Sequence, residues 1–526
     1  MHFLLSHIIP LSATRFPDRI AYKFGKEALT FASFEKKVVQ VANLLIDLGV
    51  KKGDRIGIYM PRCLKAFLAV HGIMRAGAVF VPMDAFAPPA RIQFLVKDCE
   101  IRHLMTIPSQ QRSLSKVLSK DIGLETIIGM DDDFAIKTIS WERVFEMPEE
   151  IVHDVRLLED DLAYIIYTSG TTGTPKGIMH THRSGLSYAQ LSSALYRLNE
   201  NDVVGSHSPL YVDMSTFAAF SAPLVGAATI IIPEMHTKMP ASLSQLMEVE
   251  KMTVWYSVPL ALIQLLQNGI LQKRQLTSLR WILYGGEPFP VKHLRSLMEV
   301  WPHARFSNVY GPAEVNQCTY FNLPGLPDID KPIPLGSVWE NTDVLIMDEN
   351  GQVVPYGEKG ELLVRSATRM QGYWRQPKLT QKAFFMRTAN SGLDEIYYRT
   401  GDLVIMNEDG HLLFLGRKDR QIKVRGFRVE LDEIEAVLNE HMDVLEGAVF
   451  PVEDESGEIM LEACVSLKND SILGDDENTV QILKLHMQGA LPSYAIPNSI
   501  TFMPKLPRTA AGKINHAQLK TLRKKT

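Results

Sequence analysis

From about residue 28 to 310, short apolar runs alternate with stretches whose apolar positions recur at helical spacing. Residues 55–60 form one such run, 62–76 carry the helical spacing, and 78–82 form the next run; 228–232 and 281–284 continue the theme. A short β-branched run bounded by turns predicts a buried strand, and strands alternating with helices predict α/β layers with mostly parallel sheets. The apolar and aromatic run at 162–167 predicts a strand, 178–182 a second, and 184–198 a helix. Between about 335 and 415 the pattern changes to short strands and turns, such as 342–346 and 360–364, which predicts a small β-rich subdomain. A charged segment bracketed by Gly416 and Gly426 precedes a helical pattern at 431–440. It marks a boundary between a large N-terminal domain, 1–417, and a small α+β C-terminal domain, 418–526.

The first ten residues are apolar but carry no Lys or Arg, and Pro10 and Pro17 follow. They predict a helix docked on the core, not a signal peptide. No run approaches the roughly 18 uninterrupted apolar residues of a membrane span. The net charge of −4 gives no electrostatic reason to expect nucleic acid as a partner. Cys63, Cys99, Cys318 and Cys464 lie far apart and form no CxxC pair. That fits a reducing compartment, and the cytoplasm is expected.

One segment is unlike the rest. It reads Tyr167, Thr168, Ser169, Gly170, Thr171, Thr172, Gly173, Thr174, Pro175, Lys176, Gly177. Glycines let backbone N–H groups converge, hydroxyls add donors, and Lys176 adds a positive charge. Between two predicted strands, such a loop is built to grip phosphate oxygens. It is not a Walker A loop, because Pro175 precedes Lys176 where that motif requires glycine. His180 and His182 lie two positions apart at the following strand and are expected to have packing or surface roles, with no metal pair.

This loop is joined by Asn308-Val309-Tyr310-Gly311-Pro312-Ala313-Glu314, by Tyr398-Arg399-Thr400-Gly401-Asp402-Leu403, by the Gly416 segment and by Ala511-Gly512-Lys513. Together and in this order they resemble the adenylate-forming superfamily, nearest its peptide-synthetase branch, over almost the whole chain. The resemblance implies an α/β fold: a large N-terminal domain of two layered sheets and a small β-barrel-like subdomain, with a small mobile α+β C-terminal domain. It implies attack of a carboxylate on the α-phosphorus of ATP with departure of pyrophosphate. The attacking group is already a nucleophile, so positioning and positive charge must lower the barrier.

By the same resemblance, Thr168, Ser169, Gly170, Thr171, Thr172, Gly173 and Lys176 cradle pyrophosphate. Glu314 binds Mg²⁺, Tyr310 packs on adenine, and Gly286, Glu287, Pro288, Asn308 and Gly311 line the nucleotide site. Asp402 holds the ribose with support from Arg417, Asp419 is the hinge, and Lys513 reaches the α-phosphate and the substrate carboxylate. Ala313 stands where the family has threonine, so one hydrogen-bond donor to the α-phosphate is missing. The basic residues Arg417, Lys418, Arg420, Lys423, Arg425 and Arg428 form either a solvated face or a surface for an acidic partner.

Asp213 matches the aspartate that holds the substrate's ammonium group in amino-acid-activating members. As a local reading, it caps a helix starting at 214, and both roles are compatible. The implied side-chain pocket is Met214, Phe217, Tyr256, Leu283, Gly285, Val309, Gln317 and Cys318, none of them charged. A small, largely apolar amino acid is expected. Tyr256, Leu283 and Cys318 resemble freestanding prolyl ligases, which puts proline ahead of valine, alanine or isoleucine. The expected acceptor is the phosphopantetheine thiol of a separate carrier protein, since only a short tail follows Lys513. Two rival readings remain: an acyl-CoA synthetase for a non-amino carboxylic acid, which Asp213 argues against, and a non-catalytic adenylate-binding protein, for which Ala313 is the only hint.

Overall fold

The computed structural model describes residues 3–119, 122–131, 134–153, 155–170, 174–388, 392–454, 458–468, 476–508 and 514–523. The described chain divides into two compact units. The first comprises Met1–Ala85, Val96–Ile166 and Gly177–Lys418; the second comprises Phe86–Leu95, Tyr167–Lys176 and Asp419–Thr526.

The first unit is built on two sheets. In one, six parallel strands run in the order Arg305–Tyr310, Trp281–Gly285, Val254–Ser257, Val203–Ser206, Ala228–Ile231, Ile20–Phe24, with antiparallel strands on both flanks. In the other, Leu162–Thr168 lies between Lys176–Thr181 and Val79–Pro82, and the parallel order continues through Arg55–Ile58, His103–Met105, Thr126–Ile128 and Lys137–Ile139. Central strands of this kind are apolar throughout because helices cover both faces: Ala163, Tyr164, Ile165 and Ile166 are all buried. A five-stranded antiparallel sheet, centred on Gly360–Ser366 and Asp394–Met406, forms the β-rich part.

Local signals explain the helices. Phe31–Asp47 starts at Thr30, whose hydroxyl accepts the Ser33 N–H at 3.2 Å, and it buries Phe31, Phe34, Val38, Val41 and Leu45 along one stripe. His182–Leu195 starts with a reciprocal capping box between Thr181 and Ser184. Near the N-terminus the helix Ile8–Arg15 follows a single 3₁₀ turn, and Leu5, Ile8 and Ile9 join the main core. Among the described residues, no helix is long and apolar enough to cross a membrane.

In the second unit, Val444–Glu453, Ile459–Leu467 and Ser499–Phe502 form a three-stranded sheet, and Leu431–Asn439 and Asp476–Gln488 pack their apolar faces into one core. Several charges of the basic run after Gly416 have acidic neighbours close by, and Lys418 and Arg425 keep about half of their side-chain surface exposed. Arg420 bonds Asp432 and Glu435, Arg425 pairs with Glu458 at 2.7 Å, and Arg428 lies 3.6 Å from Glu430. In the first unit Arg417 is tied to Asp402 and Lys418 lies 3.7 Å from Glu361. Sequence order alone does not reveal these acidic neighbours.

Candidate active site

The glycine-rich loop belongs to the second unit. Thr168 ends its strand, and Ser169 and Gly170 follow, both buried. The Ser169 hydroxyl donates to the carbonyl of Arg428 at 2.7 Å. The Gly170 N–H donates to the carboxylate of Glu433, which also receives Arg91 at 3.2 Å. Burial raises the pKa of Glu433 while Arg91 pulls it back down. A carboxylate therefore already stands on a backbone N–H of this loop. Gly170 must be glycine: a Cβ there would meet the Thr174 carbonyl oxygen at 1.9 Å. Lys176 is 6% exposed and is not a solvent lysine. Thr171, Thr172, Gly173 and Lys513 lie outside the described residues.

In the first unit, the strand Arg305–Tyr310 ends on the residues that resemblance assigns to the nucleotide. Tyr310 donates its phenol hydrogen to Oδ2 of Asp402, and Arg417 Nη1 donates to Oδ1. Burial, and then the negative charge of Asp402, push the Tyr310 phenol well up. Asp402 and Arg417 are register partners in neighbouring antiparallel strands, so Asp402 is a strand residue and not a turn residue. Asn308 Nδ2 donates to the Pro334 carbonyl at 2.7 Å. Glu314 is fully buried, with Tyr373 donating its hydroxyl to Oε1 at 2.7 Å. Ala313 offers no side-chain donor, but its carbonyl accepts Nε2–H of His180 at 2.9 Å. His180 stacks on Tyr164 and is held neutral by burial, which lowers its pKa to about 4. His180 and His182 are packing residues, and among the described residues no group of three His, Cys, Asp or Glu is placed to hold a metal.

Gly285 closes the strand Trp281–Gly285, and Gly286, Glu287 and Pro288 follow it. At Gly286 φ is +93°, a conformation glycine takes without strain.

Asp213 lies in the segment after Val203–Ser206. A helical stretch does follow Asp213, starting at Ser215. A π-helical turn covers Phe217–Ser221, its preceding residue is Thr216, and no side-chain cap hydrogen bond is made there. At Asp213 it is the carbonyl that takes the Thr216 N–H, at 3.0 Å, and the Thr216 hydroxyl, at 2.6 Å. Single π turns inserted in helices recur at functional sites. Beyond the dominant effect of burial, the negative charge of Asp213 raises the phenol pKa of Tyr164, Tyr188 and Tyr256. Met214, Phe217, Tyr256, Leu283 and Val309 meet in one apolar cluster. Gln317 donates to the Tyr196 hydroxyl at 3.3 Å, and Cys318 packs in the adjacent cluster.

Residues 10–374 match the family of AMP-binding enzymes, and residues 433–513 match the AMP-binding enzyme C-terminal domain. The chain belongs to the AMP-binding enzymes. An L-proline–[L-prolyl-carrier protein] ligase of Pseudomonas fluorescens is 30% identical over 97% of each chain. Another of that name, from Streptomyces coelicolor, is 32% identical over 94% of this chain and 92% of its own. The amide bond synthetase McbA from Marinactinospora thermotolerans has the same fold, with a TM-score of 0.86 at 22% identity over 99% of each chain.

Three side chains of this AMP-binding enzyme were not singled out from sequence. Tyr188, Tyr196 and Trp339 belong to the cluster around the proposed pocket, and Tyr188 stacks on Trp339 with 6.0 Å between ring centres. They carry no motif of their own. Tyr188 and Tyr196 do fall within the helical pattern after the glycine-rich loop, whose buried face supplies them.

Proposed function

We propose that this enzyme couples proline to AMP at the expense of ATP and then passes the prolyl group to the phosphopantetheine thiol of a carrier protein. The observation that carries the reading is Asp213: a carboxylate within electrostatic reach of three buried tyrosines, beside a pocket otherwise lined with apolar side chains. A carboxylate at this position offers a counter-charge to a substrate cation. An α-amino acid supplies one as its ammonium group, whereas a fatty or aryl acid does not. The two carrier-protein ligases named above support proline as the amino acid.

In this reading Thr168, Ser169, Gly170, Thr171, Thr172, Gly173 and Lys176 hold the pyrophosphate end of ATP. Tyr310 and Asp402 take adenine and ribose, with Asn308, Gly311, Gly286, Glu287 and Pro288 alongside. Asp213 takes the ammonium group. Lys513 meets the α-phosphate and the substrate carboxylate, and Asp419 is the hinge for the later transfer. The carboxylate oxygen of proline attacks the α-phosphorus, and the bond to pyrophosphate breaks. Charge on both partners is met by fixed donors, so no proton has to move in this step. Glu314 fits a shared Mg²⁺, because that ion is commonly held by one or two carboxylates together with substrate phosphates, and bound there it would offset charge on the triphosphate. All four cysteines are free thiols, which supports a reaction in the cytoplasm.

The test is ATP–pyrophosphate exchange against the twenty common amino acids and a set of fatty and aryl acids. A profile led by proline is expected. Exchange led by a non-amino acid, with product formed on coenzyme A, overturns the reading.

A further inference from the structure

Asn316 has a backbone φ of +58°, in the left-handed region that non-glycine residues seldom occupy. It is 7% exposed and follows Glu314 by two positions. The kink there is enforced from both sides. A Cβ on Gly311 would meet the Asn316 carbonyl oxygen at 2.1 Å, so the segment 311–316 closes tightly on itself. Cys318 N–H then returns to the carbonyl of Tyr310 at 2.9 Å. Strained backbone of this kind persists only where surrounding structure over-determines it, and it concentrates at working sites.

The kink turns the Asn316 amide toward the amino-acid side. Its Nδ2 donates to the Thr216 hydroxyl at 3.2 Å, and that hydroxyl donates to the Asp213 carbonyl at 2.6 Å. The hydroxyls of Tyr164 and Tyr188 lie beside Asn316 and Thr216 respectively. A three-residue relay thus joins the segment bearing Tyr310 and Glu314 to the segment bearing Asp213. The relay crosses 100 positions of sequence between Asn316 and Thr216.

We propose that Asn316 is a positioning residue: through Thr216 it fixes the Asp213 segment against the Tyr310–Glu314 segment and so sets the affinity for the substrate's ammonium group. The inference rests on the reading of Asp213 given above. Two loops that each bind one substrate must be held in fixed register for the carboxylate to meet the α-phosphorus, and a buried hydrogen-bonded side chain does this without adding charge.

The experiment compares Asn316→Gly, Asn316→Ala, Thr216→Val, Thr216→Ser, the double variant Asn316→Gly/Thr216→Val and Asp213→Ala in pyrophosphate exchange. Proline and ATP are varied separately, and thermal unfolding is followed in parallel. Glycine keeps the left-handed backbone and removes only the amide. Asn316→Gly is expected to raise KM for proline about tenfold and leave KM for ATP within about twofold. Thr216→Val should match it, Thr216→Ser should restore the wild-type value, and the double variant should be no worse than the worse single variant. Asn316→Ala should show the same KM effect with a lower unfolding temperature. Should Asn316→Gly unfold, Thr216→Val and Thr216→Ser carry the same expectation. A proline KM within twofold of wild type in Asn316→Gly, or additive single effects, overturns the relay. If Asp213→Ala meanwhile loses about a hundredfold or more, the Asp213 reading stands alone. An Asp213→Ala variant with unchanged kinetics overturns both.

Discussion

The phenol of Tyr310 is hydrogen-bonded to Oδ2 of Asp402, and Arg417 holds the other carboxylate oxygen. Residues 92 positions apart are therefore fixed by one shared anion. Resemblance assigns Tyr310 to adenine and Asp402 to ribose. The structure adds that Asp402, 5% exposed, receives the Tyr310 hydroxyl and the Arg417 guanidinium. Tyr310→Phe keeps the ring and strips the carboxylate of one donor. It is expected to cost about 1–3 kcal/mol of stability and to raise KM for ATP more than KM for the amino acid. Chemical unfolding and pyrophosphate exchange check the two parts. Equal changes in both KM values would mean that the pair only supports the fold.

Gly170→Ala tests the loop directly. The added Cβ would lie 1.9 Å from the Thr174 carbonyl oxygen. That atom is backbone, so no rotamer change relieves the clash and the loop must open. Pyrophosphate exchange is expected to fall by about a hundredfold or more, since misplacement of about an ångström in a positioning element has that effect. The unfolding temperature should change little, because the affected segment is short and local. Retained exchange would show that the described conformation of this loop is not the one that holds phosphate.

Much of the fold and part of the site can be read from the chain. The strands Leu162–Thr168 and Lys176–Thr181 are close to their expected spans, because a run of apolar, β-branched and aromatic residues has little alternative to a buried strand. The π turn at Phe217–Ser221 is not legible. One π turn of five residues flanked by helical residues is too short for its periodicity to stand out from an α-helix. Nor does sequence order show that 86–95 and 167–176 group with the C-terminal residues. That grouping includes an Arg91–Glu433 pair 342 positions apart, and no local pattern encodes a partner at such distance.

Acid should unfold this protein by a route that its histidines define. Burial lowers the pKa of His71 to about 3 and of His180 and His182 to about 4. In the unfolded chain each titrates near the ordinary value of about 6.5. Below that value the unfolded state binds protons that the folded state refuses, so stability is full above about pH 6.5 and falls as pH drops toward about 4. Each histidine contributes a slope of about 1.4 kcal/mol per pH unit inside that window. His71→Gln should flatten the measured dependence by about one such increment between pH 5 and 6. An unchanged slope would mean that His71 is protonated in the fold.

Gly285 is proposed to line the amino-acid pocket. It ends its strand in parallel register with Val309, and a Cβ there would come within 2.1 Å of the Val309 carbonyl oxygen. Both strands are central and buried, so neither backbone has room to withdraw. Gly285→Ala should therefore cost about 1–3 kcal/mol, the range for overpacking a filled interior. The strain falls where the side chain of the bound amino acid is expected. Activation of proline should drop more than tenfold, while glycine, which has no side chain to collide, should lose less. A panel of exchange rates for proline, alanine and glycine in the two proteins reads this directly. Equal losses for all three amino acids would place Gly285 outside the pocket and assign its strictness to strand packing alone.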